Sequence, residues 1–155
     1  LIQRARITEA GWWRLSEHRS WQVAQRPKII STYFGLAGSF ALDRVGDLVV
    51  VQGYGWQPKR EGLTEQHLVA IVATLNAPIT NTLLAGVSNN LSGGQWNLSK
   101  RFVERMPLVD AQKLPDSLFE PLRHIGEQMA QGAPWDSVAL DLLARKALGL
   151  GMKVS

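Results

Sequence analysis

The sequence predicts an α+β fold: a small, twisted antiparallel β-sheet with packed helices, closed by a C-terminal helical hairpin. Three observations predict it. Between Pro27 and Gln57 short apolar runs alternate with Gly35, Gly38, Gly46, Gly53 and Gly55, the pattern of strands and tight turns. Beyond Thr64 the apolar spacing becomes helical, and the last third holds two further segments with an apolar face at helical period.

Ile29-Ile30 begins the first strand, with Pro27 holding its entry extended. Phe40-Ala41-Leu42 is the second strand and Leu48-Val49-Val50-Val51 the third. Arg44-Val45-Gly46-Asp47 is the expected hairpin loop between them, with Gly46 able to take positive φ. Thr64 caps a helix in which Leu68, Ile71, Val72 and Leu75 share one face and which stops before Pro78. Pro78 opens a second, short helix through Thr82-Leu83-Leu84-Ala85, ending at Gly86 or in Ser88-Asn89-Asn90. Residues 92–97 read as a loop, and Phe102 to Met106 as a short strand halted by Pro107.

In the last third, Leu118, Leu122, Ile125 and Met129 share a helical face, with Pro121 either starting that helix or distorting its first turn after Ser117. A final helix is capped by Asp136, turns Val138, Leu142 and Leu143 inward, and stops at Gly149. The expected organisation is residues 1–110 as one unit and 111–155 as a helical hairpin packed on it.

The composition narrows the chemistry. The 155 residues, 45% of them apolar, suffice for one domain with its own core. With no cysteine, thiolate catalysis and Cys-ligated zinc are excluded. His18, His67 and His124 are scattered without ligand spacing, so no metal is expected. No apolar run approaches the roughly 20 residues that cross a bilayer, and Leu1-Ile2-Gln3-Arg4 opens no signal peptide; a soluble, cytoplasmic protein is expected. A chain beginning at Leu1 also suggests a piece of a longer protein. The net charge of +4 is concentrated: up to residue 60 there are nine basic residues against four acidic, and eight against nine in the remainder. A basic segment beside a neutral one fits a groove that meets phosphates; the alternative is a solvated basic surface.

Four clusters carry candidate function. Trp12-Trp13-Arg14-Leu15 and Arg19 lead to Arg26-Pro27-Lys28, where Arg26 and Lys28 are candidates to clamp a phosphate; alternatively the tryptophans cap the core under the arginines. Gly38-Ser39-Phe40-Ala41-Leu42-Asp43 ends in an acid that reads as a turn-stabilising side chain. Tyr54, Trp56, Gln57, Lys59 and Arg60 combine aromatic, amide and cationic groups on a segment leaving the sheet: Gln57 to bond adenine, Lys59 or Arg60 guanine or phosphate, against an ordinary surface loop. Gly93-Gly94 precedes Trp96, Asn97, Lys100 and Arg101, a spacing that allows close backbone approach to a phosphate but is no Walker loop.

In this order the clusters resemble the C-terminal specificity domain of TaqI-like N6-adenine DNA methyltransferases and fused type II restriction-modification enzymes. The resemblance runs from about residue 10 to 110 and includes Trp12-Trp13, Arg26-Pro27-Lys28-Ile29-Ile30, Phe40-Ala41-Leu42-Asp43, the helix ending Leu75-Asn76 before Pro78, and Asn97-Leu98-Ser99-Lys100 running to Met106-Pro107-Leu108. The helix end and the proline-leucine pair also look like target recognition domains of type I specificity subunits.

The resemblance implies a domain that holds double-stranded DNA against a catalytic domain in cis. That domain flips an adenine out of the duplex, because a stacked base is out of reach, and methylates it from S-adenosylmethionine. The sequence has no Asn-Pro-Pro-Tyr-type tetrapeptide and no glycine-rich cofactor turn of the methyltransferase kind, so catalysis and cofactor binding are expected in a preceding part of a longer protein. This chain is then expected to hold no cofactor and no catalytic residue. The competing expectation is a subunit-docking domain without DNA contact; an enzyme in its own right would need a nucleophile, base and orienting group together, and none is legible.

Overall fold

A computed structural model describes residues 25–150, apart from 38, 51, 60 and 92. Trp12, Trp13, Arg14, Arg19 and Arg60 lie outside the described residues.

The architecture is α+β. Strand β1 (Lys28–Ser31) is the centre of a three-stranded sheet, antiparallel to β3 (Phe40–Asp43) on one side and to β4 (Tyr54–Trp56) on the other. Lys28 faces Asp43 and Ser31 faces Phe40; across the other edge Ile29 faces Trp56 and Ser31 faces Tyr54. Side chains alternate across the pleat. Ile29, Phe40, Leu42 and Trp56 turn to the main core, whereas Ile30 and Ala41 line a cavity with Leu48, Val49, Val50 and Gln52. Two short strands, β2 (Phe34–Gly35) and β5 (Trp96–Asn97), pair separately, Phe34 against Asn97.

The third sheet strand is therefore Tyr54–Trp56, not Leu48–Val51. Leu48, Val49 and Val50 form no strand, and Leu48 and Val49 are half exposed. The cause is Asp43, whose carboxylate accepts the backbone N–H groups of Gly46 at 2.8 Å and Leu48 at 3.1 Å. This spends Leu48 N–H on the turn instead of on a ladder, and the next strand, β4, pairs on the far side of β1 from β3. Gly46 does take the expected positive φ, 82°. A Cβ there would lie 2.2 Å from the Arg26 backbone nitrogen, so only glycine fits.

Helix α1 (Glu65–Leu75) is capped as expected by Thr64, with His67 completing a reciprocal capping box, and α2 (Ile79–Val87) follows Pro78. Where a strand was expected near Phe102, the chain forms the short helix α3 (Lys100–Val103). Val103 and Met106 are both buried and three residues apart, so a helical turn puts both into the core where a strand would split them between faces.

Helix α4 (Asp116–Ala130) contains Pro121 in its interior, beginning earlier than that proline alone would place it. Helix α5 (Ser137–Ala147) starts on Asp136, which accepts from the N–H groups of Val138 and Ala139. Its inward stripe is Leu140, Leu143 and Ala144; Val138 and Leu142, expected inside, point outward at 68% and 41% exposure. The longer stripe wins, since it extends through Ala147 and Leu148.

Helix α1 is shared by two cores. Leu68, Val72 and Leu75 meet the sheet, while Ala70 and Ala73 meet α2, α4 and α5. Residues on both sides of position 110 thus bury their side chains together. Alanines on α1 and Gly126 on α4 let the helices approach closely: a Cβ on Gly126 would lie 2.6 Å from both Cγ1 and the carbonyl oxygen of Val69. No single described helix is long and apolar enough to cross a membrane.

Candidate nucleic-acid interface

One cation of the basic segment, Lys28, proves internal. Lys28 stands directly across from Asp43 in the sheet, so a cation and an anion emerge on one face at neighbouring positions. Its ammonium lies 2.6 Å from Asp43 Oδ2, donates to the Gly46 carbonyl at 3.0 Å, and has 0% exposure. Lys28 is thus not a phosphate clamp: reaching a duplex would leave the Asp43 carboxylate buried and unpaired. Burial pushes the Asp43 carboxyl up, but the Lys28 hydrogen bond and the Gly46 and Leu48 amides outweigh it and hold the group below its ordinary value. The acid stabilises its turn, as its position in the sequence suggests.

Gln57 continues β4 beside the start of β1, which brings it to Arg26: the exposed guanidinium donates to Gln57 Oε1. Gln57 Nε2 is buried without a hydrogen-bond partner among the described residues. In this arrangement the Gln57 amide oxygen is engaged by Arg26 and its nitrogen is buried.

Trp56 is also turned inward. Its ring packs edge-on against Phe40 with centroids 5.6 Å apart, and its Nε1 donates to Ser31 Oγ at 2.9 Å. Tyr54 is half-buried and meets Tyr33 at 5.0 Å in a T-shaped contact. Burial, then the neighbouring Tyr33, pushes the Tyr54 hydroxyl pKa up. Lys59 is exposed at the rim of an apolar groove of about 480 Å³ between Trp56, Ile71 and Leu108.

At the other end of β1, the β2–β5 pairing sets the second group of residues. Asn97 is half-buried, and its Oδ1 accepts Ser99 N–H at 2.9 Å, which shapes the entry to α3 instead of facing a ligand. Lys100 and Arg101 follow, both exposed, with the Arg101 guanidinium 4.4 Å from the Phe102 ring centroid. Opposite Asn97 stands Phe34, and Tyr33 precedes it; these rings are 47% and 45% exposed. Sequence reasoning missed both. Two adjacent aromatic residues between Thr32 and Gly35, just past a strand, were the available signal.

The cations of the described residues divide sharply. Lys28, Arg44, Lys113, Arg123 and Arg145 each contact a carboxylate, Arg44 contacting both Glu65 and Glu127. Arg26, Lys59, Lys100, Arg101, Arg105 and Lys146 are exposed and have no carboxylate partner among the described residues. Five of these six stand before β1, after β4, or on and beside α3. Tyr33 lies seven positions beyond Arg26, so the chain between them spans at most about 25 Å. Over that length duplex DNA presents about seven phosphates per strand.

His67 is committed to the α1 cap, accepting Thr64 N–H through Nδ1 at 2.9 Å. Among the described residues no cluster of three or more His, Cys, Asp or Glu side chains could hold a metal ion. What the accessible groups offer is charge for phosphates and ring faces for bases. Compared with known proteins, the chain matches no family model and no curated protein.

Proposed function

We propose that this chain is the DNA-reading module of an adenine-N6 DNA methyltransferase or restriction-modification enzyme, holding duplex DNA against a catalytic domain carried in cis. The observation that carries this reading is the division of the cations. Among the described residues Lys28, Arg44, Lys113, Arg123 and Arg145 meet a carboxylate, whereas Arg26 before β1, Lys59 after β4, and Lys100 and Arg101 on α3 do not. Unmatched surface charge gains little for folding, yet each such cation that meets a phosphate releases counterions and adds affinity. The pattern of residues from Trp12 to Leu108 supports the assignment to adenine methylation. S-adenosylmethionine then binds the catalytic domain, not this chain, and the enzyme works on cytoplasmic DNA.

Binding of a labelled duplex tests the proposal. The chain binds at low salt, loses affinity as salt rises, and methylates nothing by itself. Methylation by this chain alone would contradict the division of labour.

A second reading follows from α5. Val138 and Leu142 lie outward on α5, one turn apart, and the partly exposed Trp135 precedes the helix cap. This face suits docking onto another part of the parent protein, a role compatible with DNA held at the sheet.

A further inference from the structure

The exposed ring pair Tyr33–Phe34 has no structural task that accounts for its exposure. Other aromatic side chains at the sheet are drawn inward: Phe40 is buried, and Trp56 packs on it. Tyr33 and Phe34 instead lie at the surface with ring centroids 6.4 Å apart and planes tilted by 44°.

Their backbone is fixed from both sides. Phe34 is paired with Asn97, the Tyr33 carbonyl accepts Leu98 N–H at 2.9 Å, and Thr32 Oγ1 donates to the Phe34 carbonyl. Tyr54 braces the Tyr33 ring edge-on. The pair is therefore held in place before any ligand arrives, which lowers the entropy lost on binding.

Charge next to the rings selects the ligand. Lys100 lies two residues beyond Leu98, within about 7 Å of chain from the residue bonded to Tyr33. Arg101 and Arg105 extend the basic surface, with Glu104 as the acidic residue of that stretch. A purely apolar partner would leave these cations desolvated and unmatched, whereas an unstacked nucleobase brings a flat ring face and a phosphate on either side.

We propose that Tyr33 and Phe34 form a stacking platform for a base unstacked from duplex DNA, with Lys100 and Arg101 holding its flanking phosphates. This rests on the DNA-reading function and adds to it a site for an unpaired base, which shares Lys100 and Arg101 with the surface that holds the intact duplex.

The test compares three short labelled duplexes of one sequence: fully paired, carrying a single-base bulge, and carrying an abasic bulge of the same backbone. The chain binds the base-containing bulge about tenfold more tightly than the abasic one, the size expected from stacking one base on an aromatic ring. Phe34→Leu, alone and with Tyr33→Leu, abolishes that difference and leaves affinity for the paired duplex unchanged. Lys100→Ala with Arg101→Ala weakens all three complexes and keeps the preference. Equal binding of the two bulges by the unaltered chain, alongside firm binding of paired DNA, overturns the platform while sparing the DNA-reading function. A preference that survives Phe34→Leu with Tyr33→Leu overturns it too, and no binding to any duplex at low salt removes both.

Discussion

The side-chain amide of Asn76 binds both backbone groups of Phe40. Its Oδ1 accepts the Phe40 N–H at 3.2 Å, and its Nδ2 donates to the Phe40 carbonyl at 2.8 Å. Phe40 lies on β3, an edge of the sheet, and the residue just past α1 thus takes the place of a missing neighbouring strand.

Asn76→Ala leaves a buried donor and acceptor unmatched, at about 1–3 kcal/mol for each group left without a partner. Urea unfolding should show the midpoint reduced with little change in slope, while the DNA affinity of the folded protein stays within twofold. Asn76→Asp should be at least as harmful, because a carboxylate meets the Phe40 carbonyl without a proton to donate.

Lys28→Met should destabilise the fold by about 3–5 kcal/mol, the cost of leaving a buried carboxylate alone. A residue that clamped phosphate from the surface would leave the melting temperature unchanged on substitution. Thermal melting therefore separates the two roles.

The same pair gives the fold an acid limit. Asp43 is held below its ordinary value of 3.8 in the folded state, so folding favours the deprotonated carboxylate. Its contribution is fully present above that value and fades as pH falls through the lower folded value. Denaturation followed across this range should show stability falling with acid, and Asp43→Asn should flatten this part of the dependence while lowering stability at neutral pH.

Gly126→Ala would ordinarily gain about 1 kcal/mol of helix propensity. Here the added methyl meets Val69 Cγ1 and the Val69 carbonyl at 2.6 Å, and overpacking of about 1–3 kcal/mol decides the sign. Val69→Ala should restore only part of the loss, since the carbonyl contact remains.

Elements with a repeating apolar period were legible in the sequence: α1 with its Thr64 cap, α2 after Pro78, and α5 from Asp136. What escaped depended on single long-range partners. Leu48-Val49-Val50 has strand composition, but Asp43 takes the Leu48 amide; Phe102-Val103 begins as a strand would, but Val103 and Met106 have a helical turn's spacing. The basic segment was legible as charge but not as accessibility. Lys28 and Arg26 are two residues apart, yet Lys28 is buried against Asp43 while Arg26, just before the strand, stays exposed with Gln57. No local signal distinguishes them, because the register that brings Asp43 opposite Lys28 is set fifteen residues away.

The most direct test of the DNA-reading account is a salt titration of duplex binding by the chain, compared with Arg26→Ala, Lys59→Ala, Lys100→Ala and Arg101→Ala. The account predicts linear loss of log affinity with log salt, at a slope of about −0.9 per phosphate held, and a slope shallower by about one for each cation removed, with unchanged melting temperature. No duplex binding at low salt, or the same slope and affinity in all four variants, would contradict it.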